Sequence, residues 1–232
     1  MRKVLLFFTV LIVTIAPAQV PESILQYTQE FPMYETYDGS IYLQNKFVES
    51  SIIDETSSGT YDSKLRYNIH TDAVEYKEES ELFELSKNPK IQARIDEDYF
   101  YYCQFKTQRG VDREGYYILV ELHDQYRIYK RYEVKIKDPI KMDVYNGTPE
   151  PGSIRKKVSY FLEENDIIIE LPMDKKEILI TAFSDKSDEL KQYIKKEKIK
   201  LKKEEDLIRL VAKYNALKNL SSSPSNSLLS KY

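Results

Sequence analysis

The sequence predicts an α+β protein in which an antiparallel β-meander is followed by three C-terminal helices. Across residues 61–171, apolar and polar residues alternate in short runs separated by turn residues, which is the pattern of half-buried strands. From residue 174 onward, apolar residues recur at intervals of three and four, as on one face of a helix. The 232 residues include 20 tyrosines and no tryptophan, and tyrosine favours strands. Strands followed by helices is the order typical of an α+β fold.

The first eighteen residues have the pattern of a secretory leader. Arg2 and Lys3 carry positive charge, residues 4–15 are apolar except for two threonines, and residues 16–18 (Ala-Pro-Ala) have the spacing that signal peptidase recognises. The apolar run is shorter than the roughly 20 residues that a membrane span requires. Cleavage before Gln19 places no cysteine at the new terminus for an acyl anchor. We therefore predict a signal peptide over residues 1–18 and an exported protein, periplasmic or extracellular, that is not lipid-anchored and has no membrane span.

Residues 19–60 form an N-terminal segment that is weakly patterned. A short helix is predicted from Pro21 to Gln29, because Pro21 suits the start of a helix and Pro32 ends it. Residues 41–47 are predicted as a strand, and residues 54–59 as a polar loop.

The meander is predicted from residue 61 onward. Leu65, Tyr67 and Ile69 alternate with polar residues on a half-buried strand, and a turn at residues 71–72 leads into a second strand. Further strands are predicted at residues 82–85, 91–95, 99–105, 116–122, 126–136, 158–162 and 167–171. The prediction is thus a sheet of six to nine strands across residues 41–171.

The C-terminal third has helical spacing. Asp174 and Glu177 have the spacing of a capping box, which predicts a first helix over residues 175–183. A second helix is predicted over residues 187–196. Leu207, Val211, Tyr214 and Leu217 lie on one face of a third helix that begins near residue 203. We predict that residues 61–218 form one domain of sheet and helices, and that the serine-rich residues 219–232 are a disordered tail.

Two segments carry a resemblance to other proteins. Leu65-Arg66-Tyr67-Asn68-Ile69, followed by Val74-Glu75-Tyr76, resembles a strand pair in a group of uncharacterised small secreted or envelope proteins of diderm bacteria. Lys203-Glu204-Glu205-Asp206-Leu207 resembles the C-terminal helix of that group. The resemblance implies a β-rich envelope or secreted protein and assigns no functional residues.

Charge argues against nucleic acid as a partner. The formal net charge is −3, and it becomes −5 once Arg2 and Lys3 are removed with the leader. Residues 186–218 are nevertheless basic, with 11 basic and 6 acidic residues. The run from Lys191 to Lys203 would suit an anionic lipid or polysaccharide surface, but the preferred interpretation is that it complements the acidic body of the same protein.

Few residues have a pattern that indicates catalysis, and no metal site or cofactor is predicted. The chain has two histidines, His70 and His123, without the spacing of a zinc site, and it has no glycine-rich phosphate loop. Cys103 and His123 lie on adjacent predicted strands, where they could make a thiol dyad. Cys103 is in phase with Tyr101 and Phe105, however, so it is interpreted as an inert core residue.

The candidate binding residues are Tyr117, Arg127, Tyr129 and Arg131. They lie on the predicted strand faces opposite the main apolar residues, and aromatic rings beside arginines stack on sugars or hold a peptide. The favoured interpretation is a non-enzymatic exported protein that binds a protein or glycan partner through an exposed tyrosine-rich face. Two alternatives stay open: a hydrolase of envelope polymers that uses unidentified carboxylates, and a carrier of an apolar ligand in a curved sheet.

Overall fold

A computed structural model describes residues 20–28, 37–139 and 151–221, with side chains to residue 218. The predicted leader and residues 222–232 of the predicted tail lie outside these ranges. Within them, no helix is both long enough and apolar enough to cross a membrane.

The described residues contain twelve strands and three helices. The strands are β1 (Leu25–Tyr27), β2 (Tyr37–Asp38), β3 (Val48–Asp54), β4 (Gly59–Asn68), β5 (Ala73–Glu78), β6 (Glu81–Leu85), β7 (Ile91–Ile95), β8 (Asp98–Thr107), β9 (Asp112–Leu122), β10 (Arg127–Lys137), β11 (Gly152–Glu164) and β12 (Ile167–Leu171). The helices are α1 (Lys175–Thr181), α2 (Ser187–Lys196) and α3 (Glu204–Ser221), with 3-10 turns at Glu22–Ile24 and Ser184–Lys186. The predicted order of strands and then three helices is confirmed, and α3 continues into the predicted tail.

Five of the strands close on one another in a ring, in the order β8, β9, β10, β11, β12 and back to β8. Strand β8 is shared, since residues 98–101 pair with β7 while residues 106–107 pair with β12. The remaining strands extend from β7 as an open sheet in the order β7, β3, β4, β5, β6, β1.

The sheet is mixed, so the prediction of a purely antiparallel meander is wrong. Strand β12 pairs with β8 in parallel, and β2 pairs with β11 in parallel. The first of these pairs has a geometrical cause. Strand directions can alternate all the way round a ring only if the number of strands is even, so a ring of five must contain a parallel neighbour.

Two N-terminal predictions are corrected. Residues 22–24 form a single 3-10 turn and residues 25–27 form β1, where a helix was predicted. A short helix is marginal in water, whereas β1 pairs with β6 and packs Tyr27 against Phe83 at 4.7 Å between ring centres.

The strand predicted at residues 41–47 lies instead at Val48–Asp54, where it pairs with β4 and β7. Its buried positions are Ser50, Ile52 and Asp54. Two polar residues on the buried face conceal the alternation that identifies a strand. The predicted boundary at residue 60 falls inside β4, the strand that pairs with β3.

Three hydrophobic clusters organise the described residues. One fills the ring, the second lies between the open sheet and the outer face of β8 and β9, and the third lies between the helices and the outer face of β10–β12. In the third cluster, Ile128 and Leu162 of the ring pack with Phe183, Leu190 and Leu207 of the helical part. The helices therefore cover the outside of the ring, as predicted for their packing against the sheet.

The helix ends have identifiable causes. The Asp174 carboxylate accepts hydrogen bonds from the backbone N–H groups of Lys176 and Glu177, each at 2.9 Å, so α1 begins at a capped residue as predicted. Helix α2 is followed, two residues after its end, by a left-handed residue, Lys198, with φ of 56°. The N–H of Ile199 then reaches back to the carbonyl of Ile194 at 3.1 Å, which is the closure that usually places glycine at this position.

Candidate functional site

Three of the four predicted binding residues lie together, but inside the ring. The rings of Tyr117 and Tyr129 are 6.0 Å apart at an interplanar angle of 71°. The guanidinium carbon of Arg131 lies 5.3 Å from the centre of the Tyr117 ring. The prediction that β9 and β10 place these residues side by side is confirmed, with a bulge between Ile128 and Tyr129 that shifts the register.

The expected exposure of this face is wrong. Tyr117 is 1% exposed and Tyr129 is 5% exposed. Closure of the ring buries them, because the face that would meet solvent in an open sheet becomes the interior of the ring. The helices cover the opposite face, where Ile128 lies.

Arg127 lies toward the other end of β10 from Arg131. Four residues of strand separate the two by roughly 13 Å. The Arg127 guanidinium pairs with Glu163 at 3.2 Å and stays partly exposed. The four predicted residues therefore do not form one patch.

Aromatic side chains fill the middle of the ring. Phe105 lies 5.2 Å from Tyr117 and 5.5 Å from Tyr129, and Phe161 lies 5.5 Å from Tyr117, between ring centres. Burial raises the pKa of Tyr117, although the neighbouring Arg131 opposes that rise. Burial likewise raises the pKa of Tyr129, so both phenols stay neutral at physiological pH.

Above this aromatic layer, the ring holds a cavity of about 180 Å³, which we call the cup. All five strands of the ring contribute to it. The lining residues are Thr107, Arg113, Tyr117, Arg131, Glu133, Lys157, Ser159, Phe161, Ile168 and Glu170. Buried Tyr117, Ser159 and Ile168 form its floor, and exposed charged side chains form its rim.

The rim carries both signs of charge. Arg113, Glu133, Lys157 and Glu170 are exposed, and none of the four forms an ion pair with any side chain in the described ranges. Glu133 and Lys157 are direct cross-strand partners of β10 and β11. The cup thus offers hydrogen-bond donors and acceptors around a single small volume.

Arg131 is held in place by the turn between β4 and β5 and by the backbone of β9. Its Nη2 donates to Asp72 Oδ2 at 3.0 Å, and its Nη1 donates to the carbonyl of Glu114 at 3.2 Å. Gly115 makes room for this pair, since a Cβ there would lie 2.4 Å from Asp72 Oδ2 and 2.7 Å from Arg131 Nη2. Gly115 also has a φ of 143°, which a side chain disfavours.

The proposed thiol dyad is not formed. Cys103 pairs with Gly115, eight residues before His123, which directly follows β9. Eight residues of extended chain correspond to roughly 27 Å. Burial raises the pKa of the Cys103 thiol to about 12, and His123 stacks on Tyr126 at 4.6 Å between ring centres. Within the described ranges, no group of His, Cys, Asp and Glu residues could hold a metal ion.

Sequence reasoning missed most of the cup. Arg113 and Glu133 share the strand faces of Tyr117 and Arg131, so extending the alternation by two or four residues would have found them. Lys157, Phe161 and Glu170 come from strands that only the closure of the ring brings near, and no local pattern marks them.

No protein-family model matches this chain, no curated protein matches it, and no solved structure matches it.

Proposed function

We propose that this protein is a non-enzymatic binding protein that holds one saccharide unit of a glycan in the cup. The observation that carries the proposal is the convergence of all five ring strands on one small cavity that is lined by the Tyr117 and Phe161 rings and has a rim of mixed charge. We also propose that it acts outside the cytoplasm, in the periplasm or beyond the cell. The leader pattern of residues 1–18 and the resemblance to envelope proteins support that location.

The size of the cup favours a single small polar group. A cavity of about 180 Å³ has the liquid volume of about six water molecules at roughly 30 Å³ each. That is too small for a folded peptide segment and suits the terminal unit of a larger polymer, with the rest of the chain leading out through the open mouth.

The chemistry of the rim favours a sugar. Sugar hydroxyl groups both donate and accept hydrogen bonds, so they can be bound by the carboxylates of Glu133 and Glu170 and the cationic groups of Arg113 and Lys157. The four rim charges balance, which favours a neutral or zwitterionic unit. The Tyr117 and Phe161 rings add apolar surface for the carbon face of the sugar.

The anchoring of Arg131 favours tight recognition. Its contacts with Asp72 and the Glu114 carbonyl fix the guanidinium before any ligand arrives. A preformed donor loses little conformational entropy on binding.

Binding of fluorescent glycans to the purified chain tests the proposal. Arg113→Ala and Lys157→Ala should each weaken capture by about tenfold or more, which is the effect of losing one charged hydrogen bond. Lys77→Ala is a matched control, because Lys77 is an exposed lysine of β5 away from the ring. Capture that is absent, or that all three variants reduce equally, would contradict the cup as the site.

A hydrolase is the second candidate, since two carboxylates line the same cup. Glu133 on β10 pairs with Lys157 and Glu170 on β12 pairs with Phe161, four residues further along β11, which places their backbones about 16 Å apart. The two side chains would have to extend toward each other to reach the spacing of a glycosidase. Inverting glycosidases hold their carboxyl groups about 6.5–9.5 Å apart. Glu133→Gln and Glu170→Gln should abolish glycan cleavage while only weakening capture if this candidate is right, because the glutamine carbonyl still accepts a hydrogen bond, whereas a binding protein releases no product at all.

A further inference from the structure

A second cavity, of about 840 Å³, lies on the helical part of the protein. It runs between α1, α2 and the segment that follows α2, and we call it the lysine groove. Its lining residues are Lys175, Lys176, Leu179, Ile180, Ser187, Lys191, Ile194, Lys195, Lys198 and Lys200. Six of these ten residues are lysines, and none is acidic.

Helical spacing brings these residues to one surface. On α2 the lining residues recur at intervals of three and four, and on α1 they occupy two adjacent rows, so each helix presents one stripe to the groove. Leu179 and Ile194 form a buried floor, while Ile180 is 61% exposed. The groove is therefore an apolar strip with a cationic rim.

The six ammonium groups have no carboxylate partner in the described ranges. Other lysines do have one, since Lys130 pairs with Asp98 at 3.0 Å and Lys218 pairs with Glu164 at 2.7 Å. The expectation that the basic C-terminal part complements the acidic body of the same protein holds for Lys218 and fails for the groove.

Helix energetics do not account for these lysines either. Lys195 lies in the last turn of α2, where the helix dipole favours a cation, but Lys175 and Lys176 lie in the first turn of α1, where it disfavours one. Lys198 occupies a left-handed position that favours glycine. Three of the six lysines are thus placed against local preference.

We propose that the lysine groove docks the protein on the anionic surface of a lipid membrane. Charge complementarity identifies this occupant: unpaired lysines reach the headgroups, and their aliphatic stems together with Ile180 lie against the acyl boundary. Such basic clusters bind anionic lipids. Added salt weakens this binding, because it screens charges that are farther apart than the Debye length of about 8 Å at physiological ionic strength. The docking residues are separate from those of the cup, so the two proposals can fail independently.

Co-sedimentation with vesicles tests the proposal. The purified chain should bind vesicles of equal parts phosphatidylglycerol and phosphatidylcholine and should not bind pure phosphatidylcholine. The double charge reversal K191E/K195E should weaken binding more than about tenfold. Ile180→Ser should weaken it about threefold to tenfold by removing the inserted side chain. K77E/K90E is the matched control, because it reverses two exposed lysines elsewhere on the protein.

Unchanged melting temperatures of the variants show that they fold. Binding that K191E/K195E reduces and K77E/K90E does not would establish the groove as the docking surface. The proposal would be overturned if the chain did not bind the anionic vesicles, or if both double variants lost vesicle binding equally. It would also be overturned if sedimentation showed dimers that K191E/K195E disrupts, because a second copy of the chain would then occupy the groove.

Discussion

Asp72 Oδ2 lies 3.0 Å from Arg131 Nη2, and this ion pair joins the turn between β4 and β5 to the wall of the cup. The other oxygen of Asp72 accepts a hydrogen bond from the Tyr67 hydroxyl at 2.6 Å, and the backbone N–H of Tyr116 points to the same carboxylate at 3.2 Å. One side chain therefore connects the core of the open sheet with the interior of the ring.

Replacing Gly115 with alanine should separate this pair. The new Cβ would collide with Asp72 and Arg131, and it would have to adopt a φ of 143°. We expect a loss of about 2–4 kcal/mol in the free energy of unfolding, measured by urea denaturation. Gly110 is the matched control, because a Cβ there meets nothing within 4 Å although its φ is also positive. Equal losses at both positions would show that backbone strain alone is responsible.

Glu75 should be the most sensitive carboxylate of the open sheet. It is buried and accepts from Arg66 Nε at 3.0 Å and from Asn68 at 2.8 Å, while Arg66 lies between the rings of Tyr42 and Phe47. Glu75→Gln should cost about 3 kcal/mol, because it leaves a buried cation without its partner.

The exposed pair of Glu49 and Lys64 provides the comparison. Glu49→Gln should change stability by less than about 0.5 kcal/mol. Similar losses in the two glutamate variants would contradict the importance of burial.

Lys198→Gly should stabilise the protein and weaken membrane docking together. Glycine relieves the left-handed backbone at the end of α2, which we expect to add about 1 kcal/mol. Gln192→Gly, at an exposed interior position of the same helix, should instead lose about 1 kcal/mol. Thermal unfolding measures both, and vesicle binding of Lys198→Gly should fall by about threefold. Loss of stability in Lys198→Gly would contradict the left-handed backbone conformation of residue 198.

Stability should fall as pH rises from about 9 to about 12. Burial raises the pKa of the Cys103 thiol from 9.0 to about 12, so between these values the unfolded chain loses a proton that the native protein keeps. The contribution of the neutral thiol is complete below pH 9 and is lost as pH approaches 12. Cys103→Ala should make the free energy of unfolding, measured with urea, fall less steeply over this pH range. Part of the decline should remain, because the pKa values of the buried tyrosines are also raised. An identical decline in the variant would contradict the burial of the thiol.

Intact-mass measurement on protein recovered from the host should find a chain that begins at Gln19 and carries no acyl group. The small residues at positions 16–18 and the glutamine at position 19 are the reason. A mass that includes residues 1–18, or that includes lipid, would refute the proposed export and processing.

Local patterns predicted the elements whose apolar residues follow a single period. Residues 91–95 and 187–196 were placed at their observed boundaries, because regular spacing and clear end residues mark them. Strand β3 was misplaced because Ser50 and Asp54 take buried positions that a periodic pattern expects to be apolar.

The candidate site shows a different limit. Alternation indicates which residues share a strand face, so Tyr117 and Arg131 were correctly predicted as neighbours. It does not indicate whether that face closes on itself, and β8 and β12 meet only through pairing between segments about sixty residues apart. Burial of the tyrosines and assembly of the cup therefore could not be predicted from local spacing.

Because the ring has an odd number of strands, one of its strand pairs is parallel, and this pair borders the cup. The parallel pair of β8 and β12, which we call the seam, has two register pairs, Ile167 with Lys106 and Ile168 with Thr107. The antiparallel pair of β10 and β11 has eleven register pairs. Thr107 and Ile168 also line the cup, so the strand pair with the fewest register pairs in the ring forms part of the wall of the cup. If the cup holds a saccharide as we propose, the bound group would lie beside both edges of the seam, and its affinity would be linked to the free energy of ring closure.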